Sequence, residues 1–153
     1  MAREPESSLA PILLMVDSSE TVARAARCAV QLAARLHAKI YAVAVVDTET
    51  LSQLLQHRIL VREEMEEFEH DLTASSRRYL NMASRAAAEA GVELEEVLLK
   101  GSWHQAVLAK QRELNAGLLV MGAFTYSMTR HDIIGRAKRL IMDDVPCCVL
   151  VVR

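Results

Sequence analysis

Cysteine is scarce in this sequence, which has three cysteines among 153 residues. An odd number this small does not make a disulfide framework and is typical of reduced thiols in a cytosolic protein. Cys147 and Cys148 are neighbours, and a strand would direct their side chains to opposite faces of a sheet. We therefore expect these two cysteines to be buried structural thiols.

Glycine is also sparse, with five residues in the chain, and the motifs of several enzyme classes are missing. Neither the P-loop pattern nor G-x-G-x-x-G occurs, and there is no G-x-S-x-G elbow for a nucleophilic serine. The histidines have no metal-binding spacing such as H-E-x-x-H. They are His37, His57, His70, His104 and His131. The sequence therefore predicts a protein that is not an enzyme and has no catalytic or metal site.

A basic excess and long hydrophobic runs are missing as well. The net charge of -2 and the pI near 6.2 argue against a nucleic-acid-binding protein. The N-terminal segment MAREPESSLA has no apolar region like that of a signal peptide, and the run LAPILLMV is too short to span a bilayer. We expect a cytoplasmic protein without a nucleic-acid or membrane partner.

The chain does contain an alternation of apolar runs and helical patterns. The runs that suit strands buried on both faces are PILLMVD, AKIYAVAVVD, GLLVM and VPCCVLVVR, and VELEEVLLK predicts a strand nearer a sheet edge. Helical spacing covers about 18–37, 59–90, 102–114 and 133–144, and residues 48–58 predict a loop or short irregular helix. This order predicts a single α/β domain over 1–153, with a parallel sheet covered on both faces and a disordered tail at 1–10.

Several residues carry the signals of helix ends. Ser18 or Ser19 is expected to cap the first helix with its hydroxyl. Ser102 and Gln105 have the spacing of a capping box at the start of a later helix. Gly91 is expected to end the long helix as a C-terminal cap.

Two aspartates follow the first two strands, at the end of the sheet where open α/β proteins bind ligands. Asp17 either accepts a hydrogen bond from a ligand base or hydroxyl, or caps the helix that follows it. Asp47 has the same two alternatives. Trp103, next to His104, either lines a pocket or packs at the start of a helix.

The stretch from Gly122 to Lys138, GAFTYSMTRHDIIGRAK, follows a strand and leads into a helix, which is the usual setting for an anion. Gly122 and Gly135 keep the spacing of G-x2-G-x9-G-(S/T), the loop that wraps the phosphates and ribose of ATP in the universal stress protein family. The beginning ILLMVDSSETVARAARCAVQLA and the end RLIMDDVPCCVLVVR are similar to the first and last elements of that family. The chain therefore resembles the universal stress protein family from Ile12 onward.

This resemblance implies a fold and a site. The fold is a five-stranded parallel sheet of order 3-2-1-4-5 with helices on both faces, which is a Rossmann-like arrangement. At the site, the adenosine end of a nucleotide would lie on Asp17 and the backbone of Val45. The residues that would flank or wrap the phosphates are Met121, Gly122, Thr125, Gly135, Arg136 and Ala137.

Two positions of this loop depart from the family pattern, and at the start of the helical pattern at 102–114 Trp103 also stands where the family has the proline of Gly-x-Pro. Thr125 stands where the family has its second glycine, and a β-branched residue disfavours the positive φ and the close approach of phosphate that glycine allows. Arg136 replaces a small hydroxyl residue, and it either fills the room of the phosphate oxygens or binds phosphate through its planar fork of donors. The nearby basic residues either add to such a site or are solvated helix charges. They are Arg130, Arg136, Lys138 and Arg139.

Two functions from different classes remain open at this point. One is a regulatory switch in which ATP or AMP, with Mg²⁺, biases the binding of a partner. The other is a dimeric interaction module of the stress response that requires no cofactor and binds an unidentified protein partner. The two changed positions favour the second function, with weak or absent ATP binding. An enzyme of adenylyl transfer is a more distant alternative that lacks a recognisable acid, base or nucleophile, although a weak ATPase activity is left open.

The last strand predicts an assembly. In the implied order, CCVLVVR lies at an edge of the sheet and is apolar on both faces. An exposed edge of this kind invites aggregation, and antiparallel pairing with a second copy about a two-fold axis would cover it. We therefore expect a homodimer through the C-terminal strand, which Val151→Lys should weaken.

Overall fold

The computed structural model describes residues 9–123 and 133–153, in which strands and helices alternate along the chain. The strands are β1 (Ile12–Met15), β2 (Ile40–Val46), β3 (Leu94–Lys100), β4 (Leu118–Gly122) and β5 (Cys148–Val152). The helices are α1 (Val22–Leu36), α2 (Thr48–Gln56), α3 (Arg62–Glu89), α4 (Trp103–Leu114) and α5 (Ile133–Asp144).

The five strands form one parallel sheet in the order β3-β2-β1-β4-β5. This confirms the predicted parallel sheet and the order 3-2-1-4-5. The segment 48–58, predicted as a loop or short irregular helix, is largely the regular helix α2. Asp47 explains its start, because Thr50 N donates to Asp47 Oδ1 at 3.0 Å and Thr50 Oγ1 donates to Asp47 Oδ2 at 2.9 Å.

Two hydrophobic cores lie on opposite faces of the sheet. Leu14 and Ile40 belong to the core beneath α1 and α3. Leu13 and Val43 belong to the core beneath α4 and α5. Because the inner strands are buried on both faces, their sequences are continuous apolar runs, whereas the edge strand β3 is partly exposed and includes charged residues.

The helix ends confirm some of the predicted caps and correct one. Ser102 caps α4, since its Oγ accepts a hydrogen bond from Gln105 N at 3.2 Å. Gly91 follows α3 with a φ of +68°, as a C-terminal cap requires. The expectation that Ser18 or Ser19 caps α1 is wrong: the N-cap residue is Thr21, and α1 has no side-chain cap.

The cysteine prediction is wrong for Cys148, which is exposed, because β5 is an edge strand. Cys147 is half-buried, and this burial raises the pKa of its thiol. The side chains of β5 do point to two faces, as expected. Val149 packs with the core beneath α4 and α5, and Leu150 packs with the other core.

Most of the predicted tail, residues 1–8, lies outside the described residues. Its last two residues, Leu9 and Ala10, are half-buried and pack against the core beneath α1 and α3. Across 9–123 and 133–153, no helix is long and apolar enough to cross a membrane.

Candidate functional site

The strand order creates a switch point between β1 and β4. These strands are neighbours in the middle of the sheet, and the chain proceeds from them toward opposite edges. Ligands of open α/β proteins bind in the crevice at the carboxyl ends of the strands at such a point. Asp17 lies just beyond the end of β1, and Gly122 is the last residue of β4.

A buried ion pair occupies this switch point. Lys138 Nζ lies 2.9 Å from Asp17 Oδ2, and the two side chains are 0% and 3% exposed. Oδ2 is therefore held by charge at short range, and within the described residues it has no separate hydrogen-bond donor. The other oxygen, Oδ1, accepts a hydrogen bond from Ser19 N at 2.7 Å. Asp17 therefore both orders the loop after β1 and neutralises Lys138.

The same lysine also contacts β4. Lys138 Nζ donates a hydrogen bond to Gly122 O at 2.8 Å. One ammonium group from α5 thus connects the carboxyl ends of β1 and β4. Burying a charge is costly unless it is paired and hydrogen-bonded, and Lys138 meets both conditions through these two contacts.

The loop after β1 packs closely against Gly122, which has no side chain. A Cβ at Gly122 would overlap Thr21 Oγ1 and would lie 3.2 Å from Ser19 Oγ. Thr21 Oγ1 donates to Ala123 O at 3.1 Å and lies 3.2 Å from Ser19 Oγ. Thr21 of the same chain therefore occupies the space that the missing Cβ of Gly122 leaves.

Two adjoining pockets remain open beside the ion pair. The larger, of about 330 Å³, is lined by residues that include Asp47, Thr50, Leu72, Trp103 and Ile134. The smaller, of about 120 Å³, shares several of these residues and also reaches Asp17, Val45 and Tyr79. The smaller pocket brings together Asp17 and Val45, the two residues that the resemblance assigns to adenosine.

The structure shows the surroundings of Asp47 and Trp103, for each of which the sequence left a structural role and a role at a ligand pocket open. Asp47 caps α2 with both carboxylate oxygens and also lines the two pockets. Trp103 is buried at the start of α4, where it belongs to a hydrophobic core and also lines both pockets. For each residue, the structural role and the pocket-lining role coexist.

The remaining predicted site residues differ in their surroundings. Met121 is buried in the core beneath α4 and α5. Gly135 and Ala137 are buried in the first turns of α5, whereas Arg136 is exposed. The predicted roles of Thr125 and Arg130 fall outside the described residues. Arg136 therefore lies on the solvent-exposed side of α5.

The buried cation of the site is Lys138, which the sequence placed in a basic cluster that either adds to a phosphate site or consists of solvated helix charges. A signal for its burial was present in the spacing of α5. Ile134, Lys138, Ile141 and Val145 recur at intervals of four, three and four residues, which places the lysine within the apolar stripe of the helix. A charged residue at such a position requires a buried partner.

A second polar contact ties α4 to α5 away from this crevice. His104 Nε2 lies 2.7 Å from Asp144 Oδ2, and both residues are partly exposed. Within 9–123 and 133–153, no group of three or more His, Cys, Asp and Glu side chains could hold a metal ion.

Comparison with known sequences gives a consistent family. Residues 9–153 match the family model described as the Universal stress protein family. A putative universal stress protein of Staphylococcus aureus (strain USA300) is 31% identical over 144 residues, which cover 93% of this chain and 82% of that protein.

Solved structures share the fold at lower identity. A universal stress protein from Archaeoglobus fulgidus in complex with dAMP is 19% identical, with a TM-score of 0.64, and the match covers 94% of this chain and 98% of that chain. A universal stress protein in complex with cAMP is 22% identical, with a TM-score of 0.67, and the match covers 93% and 94% of the two chains. At these identities the structural likeness shows the fold alone.

Proposed function

The chain belongs to the universal stress protein family, and from this premise we propose that it is a stress-response binding protein that works without a resident nucleotide. In this proposal it acts as a homodimeric interaction module for another protein in the cytoplasm. It is proposed to act by binding and not by turnover, and the ionisable pair at the switch point, Asp17 and Lys138, is satisfied within the chain.

The observation that carries the proposal is the ion pair between Lys138 and Asp17. By family resemblance, Asp17 would contact the adenosine end of a nucleotide. Here its carboxylate already has an ammonium partner and a backbone donor. A nucleotide that recruited Asp17 would have to separate a buried pair, and removing one partner from such a pair costs about 3–5 kcal/mol. That cost corresponds to more than a hundredfold in affinity.

The contacts of Gly122 support the same conclusion. The family uses this glycine beside the phosphates of ATP, but here Thr21 Oγ1 packs where a Cβ would stand and bonds to Ala123 O. Lys138 Nζ also donates a hydrogen bond to the carbonyl oxygen of Gly122. The chain's own side chains therefore supply contacts that a ligand would otherwise make at the junction of β1 and β4.

A direct test is the nucleotide content of the protein purified without added ligand. The protein is denatured, and the released small molecules are identified by ion-pair chromatography with mass detection. We expect far less than one mole of adenine nucleotide per mole of chain. A near-stoichiometric amount of ATP, AMP or a cyclic nucleotide would contradict the proposal.

A second candidate function is a switch controlled by ATP or AMP with Mg²⁺. Two observations favour it. Solved structures with the same fold contain dAMP and cAMP, and a pocket next to Asp17 and Val45 is open. In this alternative Lys138 leaves Asp17 and pairs with a phosphate of the nucleotide, so that a ligand exchanges one ion pair for another.

The proposed dimer would form through β5. This strand is last in the sheet order and pairs with β4 along one side. Val152 O accepts a hydrogen bond from Ala123 N, so the backbone polar groups of Val152 point toward β4. Those of the alternate residues, Val149 and Val151, consequently point outward. Antiparallel pairing with a second β5 would satisfy these outward groups and cover the half-buried valines.

A further inference from the structure

A groove of about 550 Å³ runs between α1 and α3, on the face of the sheet opposite to α4 and α5. It shares no lining residue with the two pockets at the switch point. Its volume is in the range of about 300–1,000 Å³ that small-molecule sites occupy.

Small side chains explain why the groove exists. α1 contributes Ala23 and Ala26 to its floor, and α3 contributes Ala86 together with the half-buried Met82. Helices pack with their axes about 8–10 Å apart, and alanines on both sides leave the outer part of the valley between them unfilled. The result is an open groove with an apolar floor.

Three arginines surround this apolar floor. Arg27 lies on α1, and Arg78 and Arg85 lie on α3. None of the three forms an ion pair with a carboxylate of residues 9–123 or 133–153. Arg78 donates to Ser75 Oγ at 3.0 Å, and Glu89 is the acidic residue among those that line the groove. The rim of the groove therefore has more positive than negative charges, and it stands above an apolar floor.

The spacing on α3 suits an extended anion. Arg78 and Arg85 are seven residues apart, which places them on one side of the helix about 10 Å apart along its axis. Asn81 lies between them and adds an amide donor. Guanidinium groups bind phosphate and carboxylate through paired hydrogen bonds, which makes such anions the favoured partners of this rim.

We propose that the α1–α3 groove binds an amphiphilic organic anion. Its phosphate or carboxylate contacts Arg78 and Arg85, with Arg27 across the groove, and its apolar body covers the floor of Ala23, Ala26 and Ala86. Both parts of the ligand are needed, because an exposed ion pair alone contributes only about 0–1 kcal/mol. The site is independent of the switch point, so it stands whether or not the protein binds a nucleotide.

The test is calorimetric titration of the full chain with decyl phosphate, decanoate and decyltrimethylammonium, each kept below its micelle concentration. Circular dichroism confirms that the protein stays folded at each ligand concentration. The variant Arg78→Gln/Arg85→Gln removes the anion contacts. The control variant Arg62→Gln/Arg77→Gln removes two exposed arginines from the same helix, with the same change of charge, outside the groove. Ala23→Leu fills the floor without changing the charge.

We expect at least one of the two anions to bind the wild-type protein more tightly than the cation does. Arg78→Gln/Arg85→Gln should weaken that binding on the order of tenfold or more, and the control pair should change it less than about threefold. Ala23→Leu should also weaken it. Tighter binding of decyl phosphate would assign the site to phosphates, and equal binding would assign it to either anion.

Three results would overturn the inference. One is that neither anion binds. Another is that the ammonium amphiphile binds as tightly as the anions, which would mean that apolar contact alone is responsible. The third is that the groove variant and the control variant bind equally, which would place the anion elsewhere on the surface.

Discussion

Lys138 Nζ lies 2.9 Å from Asp17 Oδ2, and both side chains are almost completely shielded from solvent. This pair joins α5 to the end of β1, and the hydrogen bond from Lys138 to Gly122 O extends it to β4. The carboxylate and glycine that the family resemblance assigns to a nucleotide are therefore held by a lysine of the same chain.

Removing one member of this pair should destabilise the fold strongly. Lys138→Met leaves Asp17 buried without its cation and should lower the free energy of unfolding by about 3–5 kcal/mol. Urea denaturation followed by circular dichroism measures this change. In the double variant Asp17→Asn/Lys138→Met, no charge is left unpaired and the asparagine oxygen can still accept from Ser19 N, so part of the lost stability should return. If Lys138→Met were as stable as the wild type, the pair would not be the contact that holds α5 at the carboxyl ends of β1 and β4.

Adding a methyl group at Gly122 tests the packing of the loop after β1. Gly122→Ala places a Cβ against Thr21 Oγ1 and should cost about 1–3 kcal/mol of stability, as overpacking of a filled site does. The double variant Thr21→Ala/Gly122→Ala removes the overlapping hydroxyl and should recover part of that loss. Equal stability of the Gly122→Ala variant and the wild type in thermal unfolding would mean that this space is free.

The proposed dimer depends on outward-pointing backbone groups of β5. Val151→Pro removes one outward N–H without removing a hydrogen bond to β4, and proline is tolerated at an edge in that orientation. We expect light scattering to give a dimer for the wild type at micromolar concentration and a larger monomer fraction for the proline variant. Val151→Ala is the matched control, because it shortens the side chain but keeps the N–H. A dimer unaffected by the proline would place the interface elsewhere.

The pKa of Cys147 gives a prediction for thiol reactivity. Burial raises this pKa, so at pH 8 the folded protein should hold less thiolate at Cys147 than the unfolded chain does. In the variant Cys28→Ser/Cys148→Ser, iodoacetamide should therefore alkylate Cys147 more slowly in buffer than in urea, and the rate should continue to rise as the pH increases above 9. Equal rates at pH 8 in the two solvents would contradict the burial of this thiol.

The sequence predicted much of the fold, for identifiable reasons. The both-face-apolar runs such as Ile40–Val46 suit strands that are buried on both faces, as in a covered parallel sheet, and the family resemblance supplied the strand order. The start of α1 was predicted incorrectly because Ser19 and Thr21 bond to each other, and Thr21 bonds to Ala123, which is distant in sequence. The spacing of Ser102 and Gln105 is local, and that cap was confirmed.

The centre of the candidate site was harder to predict. Lys138 is a lysine in an amphipathic helix, and such residues are rarely buried without a partner. Its position in the apolar stripe with Ile134 and Ile141 signals burial, but its partner Asp17 is far away in sequence and is brought close only by the packing of α5 against β1 and β4. The exposure of Arg136 depends in the same way on which side of α5 faces the sheet. The spacing of apolar residues around Gly135 does not determine that orientation.

The most direct test of the central claim is calorimetric titration of ATP with Mg²⁺ into the wild-type protein. If Asp17 and Lys138 satisfy each other and Thr21 takes the space beside Gly122, ATP should give no saturable heat up to about 1 mM, which limits the binding free energy to weaker than about -4 kcal/mol. Saturable binding with a dissociation constant in the micromolar range would contradict this account. It would show that the ion pair opens readily and that the chain is a nucleotide-binding member of its family.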